Sequence, residues 1–271
     1  MIDKKIGIIG CGNMGEALLG RLTGVLEKST SIMVSELDAK RRDYLQGKYK
    51  MIIEIDNNAV VKFADVIIIA VKPKDFDDLL TGELCCGVSK DKLVISIAAG
   101  ITTKYIEKLI GKDMPVIRAM PNMGALIGQA VSSLSGGTSA NEGHMKLAKE
   151  IFSLIGDVVE VDEKLVDAVT AVSGSGPAYF FYFIESILEA AEELDLPKDV
   201  ARELVVKTAL GSVKLLIELR EDAGGLRKKV ASKGGTTEAA LKVFESKKVG
   251  QAIKAAVKEA CKRSKKLSGR K

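Results

Sequence analysis

Three glycines, at the spacing Gly10-x-Gly12-x-x-Gly15, stand between an apolar run and the helix-like segment Glu16-Ala17-Leu18-Leu19. A dinucleotide-binding turn needs glycine at those places. The first allows the tight turn, the second lets the backbone approach a pyrophosphate, and the third packs the new helix on its strand. The helix N-terminus then offers unpaired N–H groups and a positive dipole end to the phosphates. The plain alternative is an ordinary strand-to-helix turn.

Four further groups recur where elements are expected to end or begin. Ala70-Val71-Lys72-Pro73 closes an apolar run. Strand C-termini of a doubly wound sheet face the ligand crevice, so Lys72 is placed to reach coenzyme ribose or the reaction centre; otherwise it is a loop lysine before a rigid proline. Ser96-Ile97-Ala98-Ala99-Gly100 ends the next run in small residues, which let a nicotinamide ring or its ribose lie close and also make good turns. Val172-Ser173-Gly174-Ser175-Gly176-Pro177 opens an aromatic helical stretch as an elaborate N-cap with spare donors. Ser232-Lys233-Gly234-Gly235-Thr236-Thr237 opens another helix, and its backbone N–H groups and hydroxyls form a ready carboxylate site.

The single histidine, His144, falls in a polar helical stretch expected at the surface. A ketone-reducing dehydrogenase needs a proton donor for the developing alkoxide. If the substrate is a cyclic imine, its nitrogen can enter already protonated, and hydride transfer then asks only for orientation and a hydrogen-bond partner. Thr237 suits that modest role.

These groups need elements to position them. In the first half, β-rich runs at 5–9, 31–35, 51–53, 66–71, 93–97, 116–118, 130–134 and 158–161 alternate with helical stretches such as 39–47 and 103–110. Such alternation implies βαβ units and a parallel sheet covered on both faces. Val66-Ile67-Ile68-Ile69-Ala70 is apolar without alternation, as a doubly covered sheet requires. After about residue 164 long helical patterns take over, at 178–194, 198–219, 236–245 and 249–267. The first holds Tyr179-Phe180-Phe181-Tyr182-Phe183-Ile184, apolar nearly all round, so it must be buried on every side, and a second subunit is expected to share it. The expected domains are 1–162, dinucleotide-binding, and 163–271, helical.

With 271 residues, 46% hydrophobic and 28% charged, the chain is expected to bury a real core, and disordered and collagen-like classes are excluded. Much of the net charge of +5 sits among Lys262, Arg263, Lys265, Lys266, Arg270 and Lys271. A basic terminal helix without interleaved aromatics reads as a solvated face, so no nucleic-acid partner is expected. Cys11, Cys85, Cys86 and Cys261 lack metal-ligand spacing, which argues for a reducing, cytoplasmic setting and no metal. No signal peptide and no membrane-spanning run are expected.

Together the motifs resemble the Δ1-pyrroline-5-carboxylate reductase family. The matching pieces are Ile8-Ile9-Gly10-Cys11-Gly12-Asn13-Met14-Gly15, Ala70-Val71-Lys72-Pro73, Ser96-Ile97-Ala98-Ala99-Gly100, Ile117-Arg118-Ala119-Met120-Pro121-Asn122, Ser173-Gly174-Ser175-Gly176-Pro177-Ala178-Tyr179 and Gly234-Gly235-Thr236-Thr237. The resemblance implies an α/β fold, with an N-terminal Rossmann-type doubly wound sheet followed by an all-α dimerisation domain. It implies NAD(P)H as coenzyme, a homodimer or ring of dimers, and reduction of 1-pyrroline-5-carboxylate to L-proline. Around the coenzyme it places Gly10, Gly12, Asn13, Met14, Gly15, Ser35, Glu36, Asn57, Ala70, Lys72, Pro73 and Ala98, with Asn57 at the ribose. Ser232, Gly234, Gly235, Thr236 and Thr237 would line the substrate, Thr237 on the ring nitrogen, and Glu163 matches a position near the substrate in relatives.

The chain departs from the family pattern at Met123-Gly124, where Thr-Pro is usual, at Lys233 in place of a proline, and at Glu238 in place of an apolar residue. Loss of two prolines should loosen both loops. A reductase of a related cyclic imine or small acid, or a non-catalytic nucleotide-binding protein, are the rival readings. Glu36 falls about where a carboxylate binds the adenosine 2′-OH of NAD and repels a 2′-phosphate, so NADH is expected to be well used. Lys40, Arg41 and Arg42 follow within a turn or two and offer a phosphate site instead.

Overall fold

The central apolar runs of the first half, Ile6–Ile9, Val66–Ile69 and Leu93–Ser96, become strands of one sheet because each is buried on both faces, while the edge strand Gly156–Glu160 stays largely exposed. The computed structural model describes residues 2–26, 31–84, 89–111 and 113–269. Cys85, Cys86, Arg270 and Lys271 lie outside the described residues. The chain divides into two units, Met1–Ser175 with Ala260–Lys271, and Gly176–Glu259.

The first unit runs β1 (Ile6–Ile9), α1 (Asn13–Leu22), β2 (Ile32–Ser35), α2 (Ala39–Tyr49), β3 (Ile53–Glu54), α3 (Asn57–Phe63), β4 (Val66–Ile69), the short α4 (Phe76–Asp78), β5 (Leu93–Ser96) and α5 (Thr103–Ile110). β6 (Val116–Met120), β7 (Ala130–Gly136), α6 (Glu142–Ser153), β8 (Gly156–Glu160) and the short α7 (Val166–Val169) complete it. The strand order is β3-β2-β1-β4-β5-β6-β7-β8. The order reverses between β1 and β4, which is where a doubly wound sheet opens its ligand crevice.

Successive residues of the central strands feed opposite cores. Ile6, Ile8, Val66, Ile68, Leu93 and Ile95 join Leu18, Leu19, Leu22, Leu45 and Phe152, the side covered by α1, α2 and α6. Ile9, Ile67, Ile69 and Val94 join Val60, Val61, Ile106 and Ile110, the side covered by α3 and α5. Two cores on one sheet explain the unbroken apolar runs.

One expectation is corrected. β7 is antiparallel to β6, although it pairs in parallel with β8. Only residues 121–129 join β6 to β7, too few for the crossover that a parallel return requires. Gly156 is dictated by this edge, since a Cβ there would overlap the Ala130 backbone.

The second unit holds α8 (Gly176–Glu193), α9 (Lys198–Leu219), α10 (Ala223–Val230), α11 (Thr236–Ser246) and the beginning of α12 (Val249–Ser268). Phe183 of α8 meets Phe244 of α11 edge-on, ring centres 6.4 Å apart. Phe180, Phe181 and Tyr182 remain exposed in the single chain, as do Leu210 and Ile217 of α9. The aromatic helix expected to be buried all round is therefore uncovered within one chain. The last turns of α12 belong with the first unit, where Ser264 and Ser268 both donate to Asp167, at 2.7 and 2.9 Å.

Candidate active site

The glycine turn is built as the spacing requires, and each glycine has its own reason. Gly10 sits at φ +82°, where L side chains are strained, and a Cβ would press on Val71 and the Ala70 carbonyl. A Cβ at Gly15 would stand 2.5 Å from the Gly10 oxygen. Gly12 differs, because a Cβ there would meet nothing within 4 Å. Packing does not demand glycine at that place, and the open space lies at the N-cap of α1, which has no side-chain cap among the described residues. A pyrophosphate fits the N–H donors of that first turn, which Asn13, Met14 and Gly15 begin.

The fold draws the other sequence-picked residues of this end together. The Gly10 N–H donates to Ser35 O at 2.9 Å, and the Ser35 hydroxyl donates to Asn57 Oδ1 at 2.7 Å within the core. Ala70 N–H donates to Ile9 O at 2.8 Å, setting the end of β4 beside the turn. Lys72 is exposed, and Pro73 opens the following 3₁₀ turn. Ala98 is buried, and Gly100, at φ +78°, meets Leu267 of α12. The small residues after β5 thus serve helix packing as well.

Glu36 is fixed against the turn. Its carboxylate accepts from the Cys11 N–H at 2.8 Å and from the Asp38 N–H at 3.0 Å. The cations after it are engaged too. Arg41 donates through Nε to Cys11 O at 2.8 Å and through Nη2 to Glu16 at 2.5 Å, while Arg42 holds the carbonyls of Glu36 and Leu37. Glu16 also accepts from Lys48 at 2.7 Å and from Tyr44 and Tyr49 at 3.3 Å. Its burial works against ionisation, but the hydrogen bonds from Lys48 and Arg41 outweigh that and hold its carboxyl below the usual range. The stability it contributes is therefore present above the ordinary carboxylate pKa and lost as pH falls through the lowered value. Sequence reading missed Glu16. The signal for it was Arg41, Tyr44 and Lys48 at i, i+3 and i+7, one polar face of a helix in want of an acid.

Cys11 is fully buried beneath the turn. Burial pushes its thiol up to about 12, with Arg41 opposing and Glu16 and Glu36 adding to the rise. Since the thiolate is the nucleophile, Cys11 is expected to stay unmodified by iodoacetamide at neutral pH in the folded protein, and peptide mass spectrometry checks this.

Glu163 lies elsewhere in the first unit. It accepts from the Thr103 N–H at 2.8 Å and from the Thr103 hydroxyl at 2.6 Å, and it faces the buried Arg118 guanidinium at 3.5 Å. It is brought to the start of α5, and none of its described hydrogen bonds reaches the glycine turn. His144 is no acid or base of this site. It closes a capping box with Asn141 at the start of α6.

Met123-Gly124 is explained by its surroundings. The Asn122 side chain accepts from the Gly124 N–H at 3.1 Å, a donor that proline lacks, and a Cβ at Gly124 would strike the Gln129 backbone. Asn122 also donates to the Ser173 hydroxyl at 3.2 Å. The stretch 172–177, expected as an elaborate N-cap, continues from a preceding helical turn instead. Residues 170–174 form a π turn, with the Ser175 N–H on Thr170 O at 2.8 Å, between α7 and α8.

In the second unit, Gly234 takes φ +75° and Gly235 is the N-cap of α11, with no side-chain hydrogen bond from Ser232, Thr236 or Thr237 to cap it. Glu238 takes that part and accepts from the Gly234 N–H at 2.7 Å. Lys233 is exposed.

A sheet of this order, reversing beside a glycine turn with open space at Gly12, defines a dinucleotide-binding fold of Rossmann type. The family model "NADP oxidoreductase coenzyme F420-dependent" matches residues 5–100, and "Pyrroline-5-carboxylate reductase dimerisation" matches residues 163–267. The pyrroline-5-carboxylate reductase of Synechocystis sp. is 40% identical over 266 residues, 97% of this chain and 98% of the relative. Pyrroline-5-carboxylate reductase 1 of Bacillus subtilis is 34% identical over 268 residues, 98% and 90% of the two chains. The chain belongs to the pyrroline-5-carboxylate reductase family. Among solved structures, the Coxiella burnetii pyrroline-5-carboxylate reductase is 34% identical, with TM-score 0.85 over 98% of this chain and 99% of that one. The Plasmodium falciparum pyrroline carboxylate reductase with NADP bound is 28% identical, with TM-score 0.88 over 99% of each.

Proposed function

We propose that this chain reduces 1-pyrroline-5-carboxylate to L-proline with NAD(P)H. The observation that carries the reading is 40% identity to a pyrroline-5-carboxylate reductase across almost the whole of both chains. The first unit holds the coenzyme, its pyrophosphate on the turn Gly10, Gly12, Gly15 and its adenosine ribose toward Glu36. The coenzyme supplies a hydride to the imine carbon. The turn 232–237 is the family's substrate turn, with backbone N–H groups for a carboxylate and Thr237 as the hydrogen-bond partner for the ring nitrogen. Rate comes from proximity and fixed dipoles instead of a strong acid.

Glu238 bears on the substrate. A substrate carboxylate that binds the Gly234 N–H must displace the side chain already there. Glu238→Ala is expected to lower KM for the substrate about fivefold with kcat little changed, the size of a modest hydrogen-bond competition. Steady-state kinetics with varied substrate check it.

The uncovered apolar faces of α8 and α9, together with the matched dimerisation family, support a homodimer, assembled alone or in rings. Light scattering after size exclusion reads the mass. The unpaired thiols Cys11 and Cys261 accord with a cytoplasmic setting. No described helix is long and apolar enough to cross a membrane.

The deciding assay measures turnover of pyrroline-5-carboxylate, other cyclic imines and small keto acids with NADH and with NADPH. Turnover of pyrroline-5-carboxylate that collapses in Thr237→Ala supports the reading. Turnover of another imine or acid alone would replace it, and coenzyme binding without turnover of any of them would make the chain a nucleotide-binding protein.

A further inference from the structure

Coenzyme choice in a Rossmann fold turns on what meets the adenosine 2′ position beyond the second strand. In this chain three cations follow that strand, which by charge alone would welcome a 2′-phosphate. The geometry withholds the one nearest the glycine turn. Arg41 lies over the turn, Nε on Cys11 O, and its Nη2 is tied to Glu16 at 2.5 Å. Glu16 stands in the first turn of α1, immediately past the third glycine, and its side chain is only 14% exposed. Its other oxygen takes Lys48 at 2.7 Å, so the same carboxylate occupies a second cation of α2. Arg42 is turned to the carbonyls of Glu36 and Leu37.

We infer that Glu16 is a specificity-determining residue for the coenzyme, acting by keeping Arg41 from a 2′-phosphate. Preference for the unphosphorylated dinucleotide then rests on two carboxylates. Glu36 stands at the 2′ position, and Glu16 disarms the cation that would replace it. Removing Glu36 alone leaves Arg41 pinned, so the exchange of preference stays incomplete until Glu16 is also neutralised. The inference rests on the coenzyme reading proposed above.

Titration calorimetry of the full chain with ADP-ribose and with 2′-phospho-ADP-ribose tests it without turnover. Glu16→Gln is the variant of choice, because its amide oxygen still accepts from Lys48 and the tyrosines while the charge is gone. The affinity ratio of the phosphorylated to the plain ligand is expected to rise about tenfold from Glu36→Ser to Glu36→Ser/Glu16→Gln, one charge-assisted contact. Adding Arg41→Ala should erase that gain. Arg41→Ala in the wild-type background should leave the ratio within about twofold, less than one hydrogen bond is worth, and that measurement does not depend on the Glu16 variant folding. An unchanged ratio on neutralising Glu16, a gain that survives Arg41→Ala, or a marked loss from Arg41→Ala alone would each overturn the inference while plain ADP-ribose still binds. Failure of the wild type to bind ADP-ribose would overturn the coenzyme reading and this inference with it.

Discussion

Gly12→Val is expected to raise the Kd for NAD(P)H about a hundredfold, some 2.7 kcal/mol, while Tm stays within about 3 °C of wild type. The two halves of that result have separate causes. In the protein by itself a side chain at Gly12 meets open space, and φ −67° there is ordinary for any L-residue. Valine caps a helix less well than glycine, by up to about 1 kcal/mol, but it also restricts the unfolded chain by about half that or more. The near-balance leaves stability alone. The coenzyme meets the isopropyl group where its pyrophosphate should approach the backbone. Gly15→Ala is the contrasting variant. Its methyl would stand 2.5 Å from a backbone oxygen that cannot step aside, so the loss is about 2–3 kcal/mol of stability, with or without ligand. Thermal melts and fluorescence titration on the two variants separate a ligand cradle from a packing glycine. If Gly12→Val bound coenzyme normally, the pyrophosphate would not sit there.

Glu163→Ala is expected to cost about 3 kcal/mol of folding stability, close to the penalty for removing one partner of a buried pair. Arg118 is 97% inaccessible and Glu163 is its only ion-pair partner among the described residues, so the substitution strands a guanidinium in the sheet. The Arg118 Nη2 already lacks a partner among the described residues, and Glu163 also carries both Thr103 bonds that hold the start of α5. The 3.5 Å separation and the partial exposure of Glu163 keep the figure at the low end of the range for such pairs. Arg118→Met combined with Glu163→Ala should recover part of the loss, since an apolar side chain has no charge to strand. Urea unfolding of the four forms closes the cycle. A Glu163→Ala protein with unchanged midpoint but depressed kcat would move Glu163 from a brace to the substrate.

The central strands were legible as runs because burial on both faces leaves no room for polar alternation, and Val66–Ile69 is the plainest case. β3 met its expected run only at Ile53, and β8 is largely exposed. The direction of β7 was not, because the letters of a buried strand are the same either way and only the short connection from Met120 to Ala130 decides it. α10 was missed since Gly224 and Gly225 depress helix propensity. It forms because Asp222 accepts from both of their N–H groups. At the site, the glycine turn could be read from spacing alone, as its chemistry lies within six residues. The partners of Glu163 lie 60 and 45 residues away in sequence, and no local pattern points to them. Glu238 was visible as a departure from the family. Its bond to Gly234, four residues back across the N-cap, is what gives the departure a meaning.

Both backbone polar groups of Cys11 are held, its N–H by Glu36 and its carbonyl by Arg41. The glycine turn and the start of α2 are thereby tied together by two hydrogen bonds in the protein by itself. Association then has little loop ordering to accomplish, so more of the contact energy survives as affinity. Calorimetry of ADP-ribose binding should show it as a heat-capacity change no larger than the surface covered, without the added increment that accompanies coupled folding. The coenzyme finds a mould that has already set.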